Sequence, residues 1–396
     1  MRPIASRVSK LNGEGALAVF ATANELERRG RSIIHLELGE PDFHPSEAVV
    51  DAAHAALTAG RYHYVTPIGL LELRQAIADY LRRTRGVGTA PENVVVAPGC
   101  KMALALCMMA LIEPGDEVLC PEPSFPIYPS LTRGLEATPV YFSLLEDNRF
   151  QPDVDEIAKK ITPKTRMLIF NSPNNPTGTV FGEGALRQIA DLAVQYDLWI
   201  LSDEIYARFL FGGGHRSIHA LNRMAERTVI IDGLSKSFAM TGWRIGYAVA
   251  PKAVVDALDL IIMNTFTCTA EFVQVAAVQA LRDETQSVDA MVEEYRKRRD
   301  VFVGGVNRIP GFRCLSPQGA FYAWVNIEDT GLSADALAAL LLDEAGVAAI
   351  PGAAFGPSGK NFLRFSLVGA GQDLLNEALE RMSCASTRWT ANLSTH

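Results

Sequence analysis

The 396-residue chain has few cysteines, no excess of basic charge and no long hydrophobic run. Each shortage excludes a class of protein. The longest apolar run, Met102 to Ile112, is too short to span a bilayer and ends at Glu113-Pro114-Gly115. The first residues, Met1-Arg2-Pro3-Ile4-Ala5-Ser6, have no apolar stretch of signal-peptide length behind them. A net charge of −8 argues against nucleic-acid binding, which needs a basic face to neutralise phosphates. The six cysteines (Cys100, Cys107, Cys120, Cys268, Cys314 and Cys384) are scattered, with no Cys-x-x-Cys pair. They read as reduced thiols, not as a disulfide frame or a zinc site. The seven histidines show no metal-ligand spacing either, and His35, His44, His54 and His63 read as structural or exposed. Internal repeats and low-complexity linkers are also missing. The expectation is a cytoplasmic protein that uses no metal, nucleic acid or membrane.

What is there is the material of a globular protein: 48% hydrophobic and 21% charged residues. The length exceeds what one core usually supports, so two domains are expected. Helix-like spacing runs from Leu11 to Arg29 and through Leu73, Ile77, Tyr80 and Leu81. Short apolar runs at 33–38, 94–96, 117–120, 138–142, 166–170, 198–202, 228–232 and 245–250 read as strands. Helical patterns at 102–112 and 183–195 alternate with them. Continuously apolar strands alternating with helices predict an α/β fold, a mostly parallel sheet covered by helices on both faces. After about residue 290 the character changes. A charged helix over 293–306 precedes strand-like runs at 321–325, 347–350 and 362–367. Residues 45–290 are therefore expected to form a large domain, and 1–44 with 291–396 a smaller α+β domain. The last dozen residues read as frayed.

Reactive groups collect where strands end. The 166–170 strand runs into Asn171-Ser172-Pro173-Asn174-Asn175-Pro176-Thr177-Gly178, and the 198–202 strand into Asp203-Glu204-Ile205-Tyr206. The 228–232 strand runs into a small-residue loop, SKSFAMTGWRIG, that carries Lys236 and Arg244. Val96-Ala97-Pro98-Gly99-Cys100-Lys101 is a strand, a turn and the start of a helix, whose free N–H groups suit a phosphate at Gly99, Cys100 and Lys101. Taken singly, each piece has an ordinary structural explanation: turn chemistry, a helix cap, a core aromatic, solvated cations. Together, at successive strand ends of a parallel sheet, they mark the place where such folds bind ligands.

These pieces resemble the class I and II aminotransferases, the aspartate-aminotransferase-like pyridoxal-phosphate enzymes of fold type I. The resemblance runs from Leu38-Gly39-Glu40-Pro41-Asp42-Phe43 to Phe362-Leu363-Arg364-Phe365-Ser366. Its most specific part is the match of Ser235-Lys236 and Gly242-x-Arg244-x-Gly246 to the family pattern. NNPTG, SDEIY and the late R-F-S are independent matches in the family order.

The resemblance implies a role for each residue. Lys236 would form the Schiff base with pyridoxal phosphate and shuttle the substrate's α-proton. Nearby cations such as Arg244, with partial burial, would lower its pKa. Asp203 would pair with the ring nitrogen, and Tyr206 and Asn175 with the phenolic oxygen. Phe125 would lie on the ring face. Ser235, Arg244 and the turn Gly99, Cys100 and Lys101 would hold the phosphate, Arg244 through its planar fork. Tyr64 would reach the phosphate of a neighbouring subunit, which implies a homodimer with shared sites. Arg364 would clamp the substrate carboxylate, beside Asn175 and the Gly39 backbone. The implied reaction is ping-pong transfer of an amino group between an L-amino acid and a 2-oxo acid. The alternative on the same fold is a pyridoxal-phosphate lyase or oxidase. Lys101 suits an acidic substrate, whereas Phe20, Phe125, Tyr128 and Phe266 suit an aromatic or aliphatic one, so aspartate, alanine and aromatic types all stay open.

Overall fold

The computed structural model describes residues 4–13, 15–282 and 284–389. A 3-10 turn at Ser6–Lys10 precedes the first helix, Gly15–Arg28, and strand β1 (Ile34–His35). The helix expected from Leu11 thus starts at Gly15. Helices Glu47–Thr58 and Leu71–Arg85 follow. The main sheet is built from β2 (Val94–Ala97), β3 (Glu117–Glu122), β4 (Thr138–Ser143) and β5 (Thr165–Asn171), then β6 (Trp199–Asp203), β7 (Thr228–Gly233) and β8 (Gly246–Val249). The spatial order is β2-β8-β7-β6-β5-β3-β4. Strands β4, β3, β5, β6 and β7 pair in parallel, and β8 runs antiparallel between β7 and β2.

Central strands β6 and β7 are buried almost throughout, on both faces, which is why they read as unbroken apolar runs and not as alternating ones. One face packs against helices Cys100–Leu111 and Lys252–Met263 through Leu104, Cys107, Met108, Leu258 and Ile262. Leu73, Ile77 and Leu81 of the 71–85 helix pack with Ala276, Ala277 and Leu281 of helix Glu271–Arg282 against Ile230, Tyr247 and Val249. The fold is the α/β class expected.

The remainder forms a four-stranded antiparallel sheet from β9 (Arg313–Cys314), β10 (Tyr322–Asn326), β12 (Ile350–Pro351) and β13 (Phe362–Ser366), in the order β12-β13-β10-β9. The run expected as one strand at 347–350 is two. Strand β11 (Val347–Ala348) pairs in parallel with β1, and β12 joins the antiparallel sheet. The 33–38 run is likewise split among partners. Ile34 and His35 pair with β11, while the Leu36 carbonyl accepts from Ser366 N–H of β13 at 2.6 Å. The helix expected from Glu293 begins earlier, at Glu284, and ends at Val306. Expected fraying at the end does not extend to Trp389, which is fully buried and stacked on Phe312 with ring centroids 5.6 Å apart. The rest of that tail, 390–396, lies outside the described residues.

Candidate active site

Strands β2, β3, β5, β6 and β7 all point their carboxyl ends at one edge of the main sheet. Between that edge and the 313–366 sheet lies a cavity of about 320 Å³. Into it the fold brings Gly39, Cys100, Lys101, Phe125, Asn175, Asp203, Tyr206, Ser235, Lys236, Arg244 and Arg364, residues spread over more than three hundred positions of sequence. Gly99 lies just behind this wall. Tyr64 is not brought in: it is 86% exposed on the surface, as is Tyr62 at 61%.

The Lys236 ammonium donates to the Gly39 carbonyl at 2.5 Å. Burial lowers its pKa to about 8, and Arg364 and Arg244 push the same way, against Cys100 and Glu40. The neighbouring cations are thus the lesser cause, and burial the main one. Gly39 can approach because it has no side chain; a Cβ there would sit 2.1 Å from the Tyr322 hydroxyl oxygen.

Asp203 ends β6 and is buried. Its Oδ2 accepts from the Tyr128 hydroxyl at 2.7 Å and its Oδ1 from Ile205 N–H at 3.2 Å. Burial raises the carboxyl to about 6, and these two hydrogen bonds oppose the rise. Asn171, at the end of β5, ties the neighbouring strands together. Its amide donates to the Asp203 carbonyl at 2.9 Å and its Oδ1 accepts from Asn175 N–H at 2.7 Å. The Tyr206 hydroxyl meets the Tyr322 hydroxyl at 2.9 Å, and burial raises the Tyr206 pKa well above its ordinary value.

At the β2 and β7 ends the helix Cys100–Leu111 opens toward Arg244. Gly99 has φ +88, and a Cβ there would lie 2.3 Å from Arg244 Nη2. The guanidinium is therefore laid against a bare turn, with Nη1 donating to the Thr241 carbonyl at 2.8 Å. Thr241 in turn donates to Glu40. Ser235, the Arg244 fork and a helix N-terminus together make a place for a phosphate-sized anion.

Arg364 is buried on β13. It donates through Nη1 to Asn175 Oδ1 at 3.1 Å and through Nη2 to the Glu37 carbonyl. Its guanidinium lies 4.4 Å from the Tyr322 ring centroid and 4.9 Å from that of Phe355. The backbone beside it is thus that of Glu37; the Gly39 carbonyl is taken by Lys236. Lys101 Nζ sits 5.7 Å from the Phe125 ring centroid. Of the four aromatics expected around a substrate, Phe125 and Tyr128 line the cavity. Phe20 packs on His35 instead, and Phe266 packs against the core.

Residues the sequence did not point to are Asn171, Tyr322, Phe355 and Leu17, together with the hold of Tyr128 on Asp203. A signal existed for Asn171, the last residue of a strand that runs into NNPTG. Tyr322, Phe355 and Leu17 had none, because they reach the cavity from other parts of the chain. Among the described residues, no group of three or more His, Cys, Asp or Glu is placed to hold a metal, and no helix is long and apolar enough to cross a membrane.

An open α/β sheet with a half-buried lysine, a buried carboxylate and a bare glycine turn beside an arginine at its strand ends has the groups an enzyme of small anionic molecules needs. Comparison with known proteins gives the family. The model of aminotransferase class I and II matches residues 31–382. Aromatic-amino-acid aminotransferase 2 of Thermococcus litoralis is 39% identical over 383 residues, covering 96% of this chain and 97% of that one. A probable aspartate/prephenate aminotransferase of Thermus aquaticus is 39% identical over 388 residues, covering 97% and 100%. The solved aspartate aminotransferase of Thermus thermophilus with maleate superposes with a TM-score of 0.93 at 36% identity, covering 97% and 100%. The chain belongs to the class I and II aminotransferase family. It is accordingly an enzyme of pyridoxal-phosphate-dependent transamination between amino acids and 2-oxo acids.

Proposed function

We propose that pyridoxal phosphate is held in this cavity, covalently on Lys236, and that the chain's own groups divide the work of transamination. The single observation that carries the reading is the lysine with its pKa lowered to about 8, in one cavity with Asp203 and the Arg244 cradle. A free amine is needed both to bond the cofactor and to take a proton, and burial supplies it near neutral pH. When bound, the cofactor supplies an electron sink for the substrate's Cα.

The phosphate would rest on Ser235, on Arg244 and on the turn Gly99, Cys100 and Lys101. Asp203, oriented by Tyr128 and Ile205, would hold a proton on the ring nitrogen. Tyr206 and Asn175 would bind the phenolic oxygen, and Phe125 would lie against the ring. Arg364 would bind the substrate carboxylate beside Asn175, held from behind by the Glu37 carbonyl. Fixing the carboxylate there leaves the Cα–H bond as the one to break, and Lys236 Nζ moves that proton. The buried rings of Tyr322 and Phe355 form an apolar part of the cavity wall. Lys101 at the wall suits an acidic side chain, while Phe125, Leu17 and Leu104 suit an apolar or aromatic one.

Tyr64 completes the phosphate site of a second copy of the chain, so the working unit is a homodimer with shared sites. Support comes from its exposure, together with that of Leu71 at 57% and Met263 at 52%. Residues 45–290 form the large cofactor domain, and 1–44 with 291–396 the small one. The compartment is the cytoplasm, in keeping with six cysteines that form no disulfide.

The test is a half-reaction screen. The cofactor-loaded enzyme is mixed with single amino acids and no acceptor, while its visible absorbance is followed. Transamination predicts one equivalent of 2-oxo acid per site and conversion to the amine form of the cofactor. Sustained release of ammonia without an acceptor would contradict it.

A further inference from the structure

A second arrangement lies behind Arg364. Glu37 is fully buried, its Oε1 is 2.7 Å from His35 Nδ1, and its buried Oε2 has no hydrogen-bond partner. The carbonyl of this same residue accepts from Arg364 Nη2. His35 Nε2 reaches the other way, to Glu27 Oε1 at 3.3 Å on the helix Gly15–Arg28. The His35 ring also packs edge-on against Phe20 of that helix, with centroids 5.7 Å apart. The first turn of the same helix, Gly15, Ala16 and Leu17, forms part of the cavity wall. One imidazole thus joins the helix over the cavity to the peptide that holds Arg364.

We propose that His35 is a positioning residue for substrate carboxylate binding, acting through Glu37 on Arg364 and through Glu27 on the helix that walls the cavity. It rests on Arg364 as the carboxylate clamp. The charged groups facing His35 are Glu37 from its own segment and Glu27 from the helix. Both raise its pKa, the hydrogen bond to Glu37 most, while burial opposes. Protonated His35 sets a positive charge against the buried Glu37 carboxylate. When His35 loses its proton, Glu37 is left as a buried charge facing a neutral ring, which is unfavourable. The segment then relaxes, and the Glu37 carbonyl no longer fixes Arg364. Carboxylate affinity is therefore greatest while His35 is charged and falls as the pH rises through its titration.

The probe is propionate, titrated calorimetrically into the cofactor-loaded enzyme from pH 6 to pH 9. The other groups of the site are the same in wild type and variant, so the ratio of the two proteins' propionate affinities isolates His35. His35→Gln should bind propionate about fivefold more weakly than wild type at pH 6, the worth of one hydrogen bond. The ratio should close to about one at pH 9. Glu27→Gln, at an exposed position, should give part of the effect. In the protein's NMR spectrum, the His35 imidazole, assigned by its loss in His35→Gln, should titrate lower in Glu37→Gln than in wild type. Arg364→Gln is the control. If it loses propionate while His35→Gln matches wild type at every pH, the positioning role is overturned and the clamp stands. If Arg364→Gln binds propionate normally, the clamp itself fails and this inference with it. A ratio that does not change with pH, or a lowered melting temperature with unchanged propionate affinity, also overturns it.

Discussion

Asp203→Asn should make the cofactor-free enzyme more stable at neutral pH, although the residue sits at the centre of the site. Burial raises its carboxyl from 3.8 to about 6. The sign follows from which state holds its proton longer. In the unfolded chain the group ionises near 3.8, and in the folded one near 6. Below 3.8 both are neutral and no penalty exists; as pH rises the penalty grows, and above about 6 it is complete. At pH 7 it amounts to about 3 kcal/mol. An amide at this position can keep its oxygen on Ile205 N–H and donate to the Tyr128 oxygen. That leaves the buried Tyr128 proton without an acceptor and takes back about 1 kcal/mol. The net gain expected is about 2 kcal/mol at pH 7, shrinking toward zero or reversing near pH 4. Urea denaturation of cofactor-free wild type and variant between pH 4 and pH 8 reads this directly. In the loaded enzyme the advantage should disappear, since the ring nitrogen proposed to face Asp203 would compensate its charge. A variant less stable at pH 7, or a gain that ignores pH, would refute the reasoning.

Three further outcomes are expected. Reconstitution of cofactor-free enzyme should quicken about tenfold per pH unit below 8 and level off above it, because only the neutral amine of Lys236 reacts; a rise continuing to pH 10 would show an ordinary exposed lysine. Gly99→Ala should weaken cofactor binding at least tenfold and cost about 1 kcal/mol or more, since φ is +88 there and the new methyl would meet the Arg244 guanidinium; equilibrium dialysis and thermal melting check the two effects. Trp389→Ala should cost about 3 to 5 kcal/mol, through loss of a fully buried ring stacked on Phe312 and of its hydrogen bond to the Pro310 carbonyl; denaturant titration measures it, and turnover per folded molecule should be unchanged.

The parts of this protein that were legible in the sequence are those written within a few residues of one another. Strands β5, β6 and β7 are apolar enough to announce themselves, and Asn175, Asp203 and Lys236 follow directly on their ends. What could not be read are contacts made across the fold. Tyr322 meets Tyr206 from the other sheet, and Glu37 offers Arg364 its backbone, which carries no sequence signal. His35 reads from sequence as structural or exposed, because Glu27 and Phe20 reach it from a separate helix. The 347–350 run misled for a related reason: four apolar residues suit one strand, yet β1 and β13 each take two of them or their neighbours. Tyr64 lies exposed on the surface of the single chain, so its proposed place depends on a second copy.

The central claim is that Lys236 carries the cofactor. Borohydride reduction of the loaded enzyme fixes the cofactor to whichever amine holds it, and peptide mass spectrometry then locates it. A single pyridoxyl adduct is expected, on the peptide containing Ser235-Lys236, and none in Lys236→Ala. An adduct on any other lysine, or retention of the visible absorbance band by Lys236→Ala, would contradict it.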